Sequence, residues 1–526
     1  MKFERASGLL VHPTSFPGPY GIGDLGGEAY RFVDFLQQTA QTLWQILPLT
    51  PTGFGDSPYA AFSAFAGNPL LISPDILLGQ GLLEPHDLEN IPEFSNQTVE
   101  FGPVIEWKMQ LLARSYEHFE EKAGPEIRAL VAQFESENAA WLDDFALFMA
   151  AKSHHNGAVW AEWEPGLAQH QNDALIEWRE KLAGPVAFQK YLQFIFSLQW
   201  GGLKEYANER GIKIIGDIPI FVAYDSADVW ANPELFYLDE TGQPTVIAGV
   251  PPDYFSPTGQ RWGNPLYRWD RLALTKYAWW VERFRAAFRQ TDIVRLDHFR
   301  GFESYWEVPA TEETAINGRW VKGPGRAFFE EVFQQLGEKP VIAEDLGLIT
   351  PAVRTLLKEL DFPGMAVLQF AFANDMTDAY LPHNYESNLL VYTGTHDNDT
   401  TASWLVTATE AEREMVRRYL ALDSLDQLNP LELSWRLIRL AWGSVAELAI
   451  TPLQDLLGIG PEGRMNAPGR PSGNWGWRYH PDSLSDWLSG RLLDITLLYA
   501  RFVPEEVKQK KLKEAAELEA LLAGED

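Results

Sequence analysis

Three acidic residues stand at the ends of three apolar runs. Asp297 closes "DIVRLD", Glu344 closes "PVIAE" and Asp397 follows "LLVYTGTH". A strand that ends on ionisable groups places them where the chain leaves the core. Two carboxyl groups about 5–5.5 Å apart suit retaining chemistry on a glycosidic bond. One attacks the anomeric carbon. The other, kept protonated, hands its proton to the departing oxygen and later takes one from the incoming oxygen. A third carboxylate orients sugar hydroxyls and favours a distorted, cation-like ring. Arg295 stands beside Asp297; an adjacent cation depresses a carboxylate's pKa, so Asp297 is expected to be ionised. Glu344 has no basic neighbour in sequence, and Asp345 behind it would help to raise its pKa.

Other readings of the same residues stay open at this point. An acidic residue just past a strand is often a helix N-cap, and Asp297, Asp345 and Asp397 each fit that role. The stretch "HDND" (396–399) offers hard oxygen ligands of the calcium type. It lacks the glycine and the distal Glu of a twelve-residue calcium loop, so no metal is assigned. There is no phosphate-binding Gly-rich loop ending in Lys-Ser/Thr, no paired-His helix and no dinucleotide fingerprint, so no cofactor is expected. "GIGDLGG" (21–27) follows no apolar strand and reads as a loop.

Carboxylates about fifty residues apart in sequence meet only if a fold gathers strand ends on one face, as a barrel does. Eight strand-like runs recur: 42–49, 68–73, 211–221, 291–299, 339–347, 364–372, 388–398 and 446–457. Most are followed by helical patterns. Runs apolar throughout imply parallel strands covered on both faces. Eight such units predict an α/β protein, a (β/α)8 TIM barrel. A plain barrel takes about 250 residues, and this chain has 526, so large insertions are expected. One, roughly 74–210, reads as a mainly helical subdomain. Another, roughly 222–285, holds the Pro-, Gly- and aromatic-rich stretch 249–269, "GVPPDYFSPTGQRWGNPLYRW", which reads as a loop. The last segment, from "PEEVKQKK" onward, reads as a charged surface helix with a frayed end. Nothing after the eighth run looks like an appended β-sandwich, so the domain is a single barrel with insertions.

Composition limits the partners. Hydrophobic residues make up 46%, with 20 Trp, 30 Phe and 18 Tyr, which argues against disorder. Those aromatics fit a large core or a surface that stacks on sugar rings. A net charge of −30 disfavours nucleic acid and anionic lipid and suits a neutral substrate. There is no cysteine, hence no thiol nucleophile or thiolate metal site, in keeping with a cytoplasmic protein. Neither a signal or transit peptide nor a membrane span is expected, and oligomeric state is not legible.

"RLDHF", "AEDLG" and "GTHDND", in this order, resemble motifs of the 4-α-glucanotransferases known as amylomaltases or disproportionating enzymes, relatives of the α-amylases. The resemblance runs from residues 8–26 through 44–72 and 216–230 to 466–478. It is closest to the compact bacterial type. It implies Asp297 as nucleophile, Glu344 as general acid/base and Asp397 as transition-state stabiliser. Arg295, His396 and Asp217 match its sugar-contacting neighbours, and Ser57 and Tyr59 match residues flanking the donor sugar. The aromatic loop matches its lid, so Asp253, Tyr254, Gln260 and Trp262 are expected to touch the glucan, with Asn466 on the acceptor side. The partners implied are α-1,4-glucans and maltooligosaccharides, as donor and acceptor. The chain departs from α-amylases in lacking an Asn-His pair after "DIPIF". It also departs from some members of the family itself: Phe54 stands where they use a Tyr at a secondary glucan position, so that second site is not carried over.

Transfer must outcompete hydrolysis. Against water at about 55 M and an acceptor at about 1 mM, the site must favour the sugar by about 6–7 kcal/mol to break even. Holding a reactant in place supplies about 7–11 kcal/mol, and a lid over 249–269 would exclude water. The expected activity is therefore glucan transfer. The alternatives are an α-1,4-glucan hydrolase of the same superfamily and a silent glucan-binding protein; the three carboxylates argue against the silent form.

Overall fold

Ile293–Leu296, Val341–Ala343 and Gly364–Val367 are buried along their whole length. That is how a parallel strand looks when helices cover one face and barrel side chains fill the other. In the computed structural model such segments close into a barrel. The structure describes residues 2–252, 256–373, 375–425, 428–470, 472–510 and 513. In chain order the strands are β1 (Ala6–Leu10), β2 (Leu43–Gln45), β3 (Lys213–Ile218), β4 (Val246–Val250), β5 (Gln260–Pro265), β6 (Ile293–Leu296), β7 (Ser304–Pro309), β8 (Arg319–Lys322), β9 (Val341–Ala343), β10 (Gly364–Val367), β11 (Leu389–Tyr392) and β12 (Leu448–Pro452).

Eight of them pair in parallel in the order β10-β11-β12-β1-β2-β3-β6-β9. The remaining seam is bridged where the Ala343 N–H donates to the Pro363 carbonyl, just before β10, at 3.0 Å. The result is the (β/α)8 barrel. Leu10, Leu43, Ile215, Ile293, Ile342, Met365, Leu390 and Leu448 fill its interior. Larger apolar clusters lie between the strands and the outer helices, one around Trp44 and Trp200, the other around Val294, Trp280 and Phe328.

Two strand assignments change. Residues 68–73 are not a strand: Pro69 removes a donor, and the Asn68 side chain accepts the Leu70 N–H at 2.9 Å to start a single 3-10 turn, Pro69–Leu71. The first barrel strand is instead Ala6–Leu10, whose apolar run is broken by Ser7 and Gly8. Gly8 is there for contact: a Cβ would lie 2.1 Å from the Leu43 carbonyl oxygen of the neighbouring strand.

The stretch read as a loop over 249–269 also differs. Its flanks are the antiparallel strands β4 and β5, which join β7 and β8 in a second sheet of order β5-β4-β7-β8. A register shift between Ile247 and Gly249 marks a bulge in β4. Glycine and aromatic residues hid these strands, because β4 is anchored to the sheet by β7, which lies some sixty residues later.

Between β2 and β3 run the long helices Phe101–Lys122, Pro125–His154 and Ala183–Glu209. The last of these leans on the barrel, since Trp200 packs on Trp44 of β2 and donates to the Gln290 carbonyl at 2.9 Å. Among the described residues no strand follows β12, and no helix is long and apolar enough to cross a membrane. Residues 505–510 of the charged tail are helical; the end expected to fray, 514–526, lies outside the described residues.

Candidate active site

The barrel delivers the three carboxylates to one end. Asp297 follows β6, Glu344 follows β9 and Asp397 lies five residues past β11. The turns after β6 and β9 are joined by backbone bonds. The Glu344 N–H donates to the Leu296 carbonyl at 2.9 Å, and the Phe299 N–H to the Glu344 carbonyl at 3.0 Å. The Glu344 carboxylate accepts the His298 N–H on Oε2 and the Leu346 N–H on Oε1, both at 2.7 Å. The acid therefore lies against the peptide unit that follows Asp297, and its orientation is set by backbone.

Arg295 points inward from β6 and is 4% exposed. Its Nη1 lies 2.6 Å from Oδ2 of Asp217 and 3.1 Å from Oδ1 of Asp297. Asp217 comes from β3 and also accepts the Tyr59 hydroxyl at 2.8 Å. Tyr59 in turn stacks on His396 with centroids 5.1 Å apart and 13° between planes. Trp475 packs on both rings. At the far end the Asn466 amide donates to Oδ1 of Asp397 at 2.6 Å, and Nε2 of His396 is 3.3 Å from the other oxygen.

The cap readings fail. No side chain caps the turn Phe299–Phe302. Thr400, not Asp397, caps the helix Thr401–Thr407. Asp345 accepts the Met365 N–H of β10 at 2.7 Å, and burial pushes its carboxyl up to about 7. The "HDND" side chains also find local partners: Asn398 Oδ1 accepts from the Thr395 amide and hydroxyl, and Asp399 from Ser403.

One electrostatic expectation is corrected. Arg295 does lower Asp297, but burial pushes that carboxyl up to about 8, and the charges of Asp217, Glu344 and Asp397 add to the rise. Burial outweighs the guanidinium, which is also engaged by Asp217 at the same nitrogen. Burial also raises Glu344, against Arg295 and the two N–H donors. Both carboxyls rise together, so the pair keeps a proton near neutrality. The Asp297 side chain retains 29% of its surface open, the opening an incoming ligand needs. Burial works against the Arg295 charge too, yet Asp217 and Asp297 outweigh it and hold the guanidinium above its usual value. Burial raises Tyr59 and lowers His396 despite Asp397; both are neutral hydrogen-bonding groups at pH 7.

Tyr59, Asp217, Arg295, Asp297, Glu344, His396, Asp397 and Asn466 thus form one connected group. Ser57 joins it locally, its hydroxyl accepting the Tyr59 N–H at 3.2 Å. Gln260 and Trp262 stand on β5, exposed, with the indole N–H donating to Gln260 at 3.1 Å. Trp262 meets the His298 ring edge-on at 4.8 Å. Asp253 and Tyr254 lie outside the described residues. Sequence reasoning missed His298 and Trp475. The first stands beside the nucleophile candidate, and the second is an aromatic in the Gly-rich stretch 466–478.

A barrel whose strand ends present paired carboxylates around a buried guanidinium is the frame of an enzyme that works on sugars. A family model described as 4-alpha-glucanotransferase matches residues 11–485, so the chain belongs to that family. A 4-alpha-glucanotransferase of Synechocystis sp. is 52% identical over 501 residues, 95% of this chain and 98% of that protein. One from Thermus thermophilus is 52% identical over 494 residues, 94% of this chain and 98% of that protein. The solved structure of amylomaltase from Streptococcus agalactiae in complex with acarbose superposes with a TM-score of 0.91 at 39% identity, covering 95% of this chain and all of that one.

Proposed function

We propose that this 4-α-glucanotransferase moves α-1,4-glucan segments between maltooligosaccharide chains by double displacement through a glucosyl ester on Asp297. The observation that carries the mechanism is the Asp297–Glu344 arrangement: two raised carboxyls joined through one peptide unit, the first of them 3.1 Å from the Arg295 guanidinium that also holds Asp217. Within this pair that contact biases the negative charge toward Asp297 and the shared proton toward Glu344.

In the first half, an Asp297 oxygen bonds to C1 of the donor sugar as the C1–O4 bond breaks. The Glu344 proton goes to the departing O4. In the second half, Glu344 takes the proton of an acceptor 4-hydroxyl, that oxygen bonds to C1, and the ester opens to free Asp297. Asp397 and His396 hold ring hydroxyls, with the Asn466 amide fixing Asp397 on the acceptor side. Arg295, Asp217 and Tyr59 hold the nucleophile and flank the donor sugar together with Ser57.

The stretch 249–269 serves as the lid that seats an acceptor in place of water, with Gln260 and Trp262 on β5; Asp253 and Tyr254 belong to the same stretch of sequence. Residues 74–210 and 222–285 act as insertions on the barrel, the second carrying this lid. The absence of cysteine favours the cytoplasm.

Incubation with maltotriose, with products sized and reducing ends counted, tests the reading. Transfer gives a ladder of longer and shorter chains at a constant number of reducing ends. A rising count without a ladder means hydrolysis and overturns it.

A further inference from the structure

Glu344 is oriented by two backbone donors, and one belongs to a residue in an unusual conformation. His298 sits in the left-handed region, φ 51° and ψ 49°. Residues other than glycine rarely hold that conformation unless their surroundings impose it. The imposing contacts are visible. The imidazole meets Trp262 edge-on, with centroids 4.8 Å apart and 80° between planes. Its other side lies against Gly301, where a Cβ would come within 3.2 Å of the ring. Burial pushes the imidazole down to about 3, so the ring stays uncharged. Trp262 belongs to β5, in the hairpin rather than the barrel, and is 38% exposed.

We propose that His298 is a positioning residue that ties the hairpin to the acid/base. The Trp262–His298 contact holds the left-handed turn, and the His298 N–H aimed by that turn fixes Oε2 of Glu344. A glucan unit that settles on Trp262 therefore tightens the alignment of the group that must protonate the leaving oxygen and deprotonate the acceptor. This rests on the reading of Glu344 as acid/base, and the test separates the two claims.

The test compares two donors. With maltotriose, breaking the C1–O4 bond needs a proton from Glu344. With α-maltosyl fluoride, the C1–F bond breaks to fluoride ion and needs none. His298→Asn tolerates the left-handed conformation and His298→Gly can adopt it without strain, so either can fold, but neither has the ring through which Trp262 holds the turn in place. In both, kcat on maltotriose is expected to fall about 10- to 100-fold, part of the usual contribution of a general acid. First-turnover fluoride release should stay within about threefold of the parent, and KM should change less than kcat.

The double variant His298→Asn/Trp262→Leu should lose no more in kcat than the worse single variant, since both break one linkage. Equal losses on both donors mean that His298 merely supports the fold and overturn the proposal, as does unchanged kcat on maltotriose. Additive losses in the double variant remove the link to the hairpin. Glu344→Ala is the reference: if it slows fluoride release as severely as maltotriose turnover, the acid/base reading is what fails.

Discussion

Two regions face the same cleft and are built in opposite ways. At the barrel rim each charged group is held by others: Glu344 by two backbone N–H donors, Asp297 by Arg295, Arg295 by Asp217, and Asp217 by Tyr59. Across from it, β5 presents Gln260 and Trp262 to solvent, bonded mainly to each other. The rim suits charge that must not move during reaction, because preorganised groups stabilise a transition state without rearranging. The hairpin suits a partner that comes and goes. Its side chains should govern which acceptor is seated, while the rim governs whether the bond breaks at all.

Substitutions can break that division, beginning at the rim. Asp297→Asn removes the proposed nucleophile and should lower kcat by about 10⁴-fold or more, while calorimetry still detects maltooligosaccharide binding. Loss of binding as well would mean that the rim also selects the ligand. Arg295→Gln should come next, at about 100-fold in kcat, with a shift in the pH–rate profile. The guanidinium lowers the Asp297 pKa, so its removal moves the acid limb to higher pH. Activity below about pH 8 should then fall further than activity above it. An acid limb that stays in place would remove Arg295 from control of the nucleophile's charge.

Trp262→Ala should act on the other region. It should reduce kcat/KM for the acceptor about tenfold, close to 1.4 kcal/mol, and raise the share of hydrolysis. An effect as large as that of Asp297→Asn would erase the distinction between rim and hairpin.

The smallest effect concerns stability. Folding raises both carboxyls of the Asp297–Glu344 pair, Asp297 from 3.8 to about 8, so the folded site favours holding one proton that the unfolded chain releases. That contribution is complete below the unfolded value and is lost as pH rises through about 8. Asn removes one of the two carboxyls that compete for that proton. Asp297→Asn should therefore melt about 1–3 °C higher near neutral pH, with the gap widening as pH rises. A variant that melts lower at every pH would mean that Arg295 needs both carboxylate partners to be tolerated in the core.

The amino-acid sequence by itself determined the α/β class, seven of the eight barrel strands and the positions of Asp297, Glu344 and Asp397. Strands buried on both faces must be apolar throughout, and the charged residues that end them stand out against that background. Ala6–Leu10 escaped because a glycine needed for contact with Leu43 interrupts its pattern. The hairpin escaped because antiparallel pairing between β4 and β7 is a long-range choice that local composition does not encode. Only the tertiary structure decided the charge of the site. Neighbours in sequence suggested that Arg295 would depress Asp297; burial and three converging carboxylates, each from a different strand end, reverse that sign. Burial and convergence are properties of the closed barrel, and no stretch of chain holds them alone.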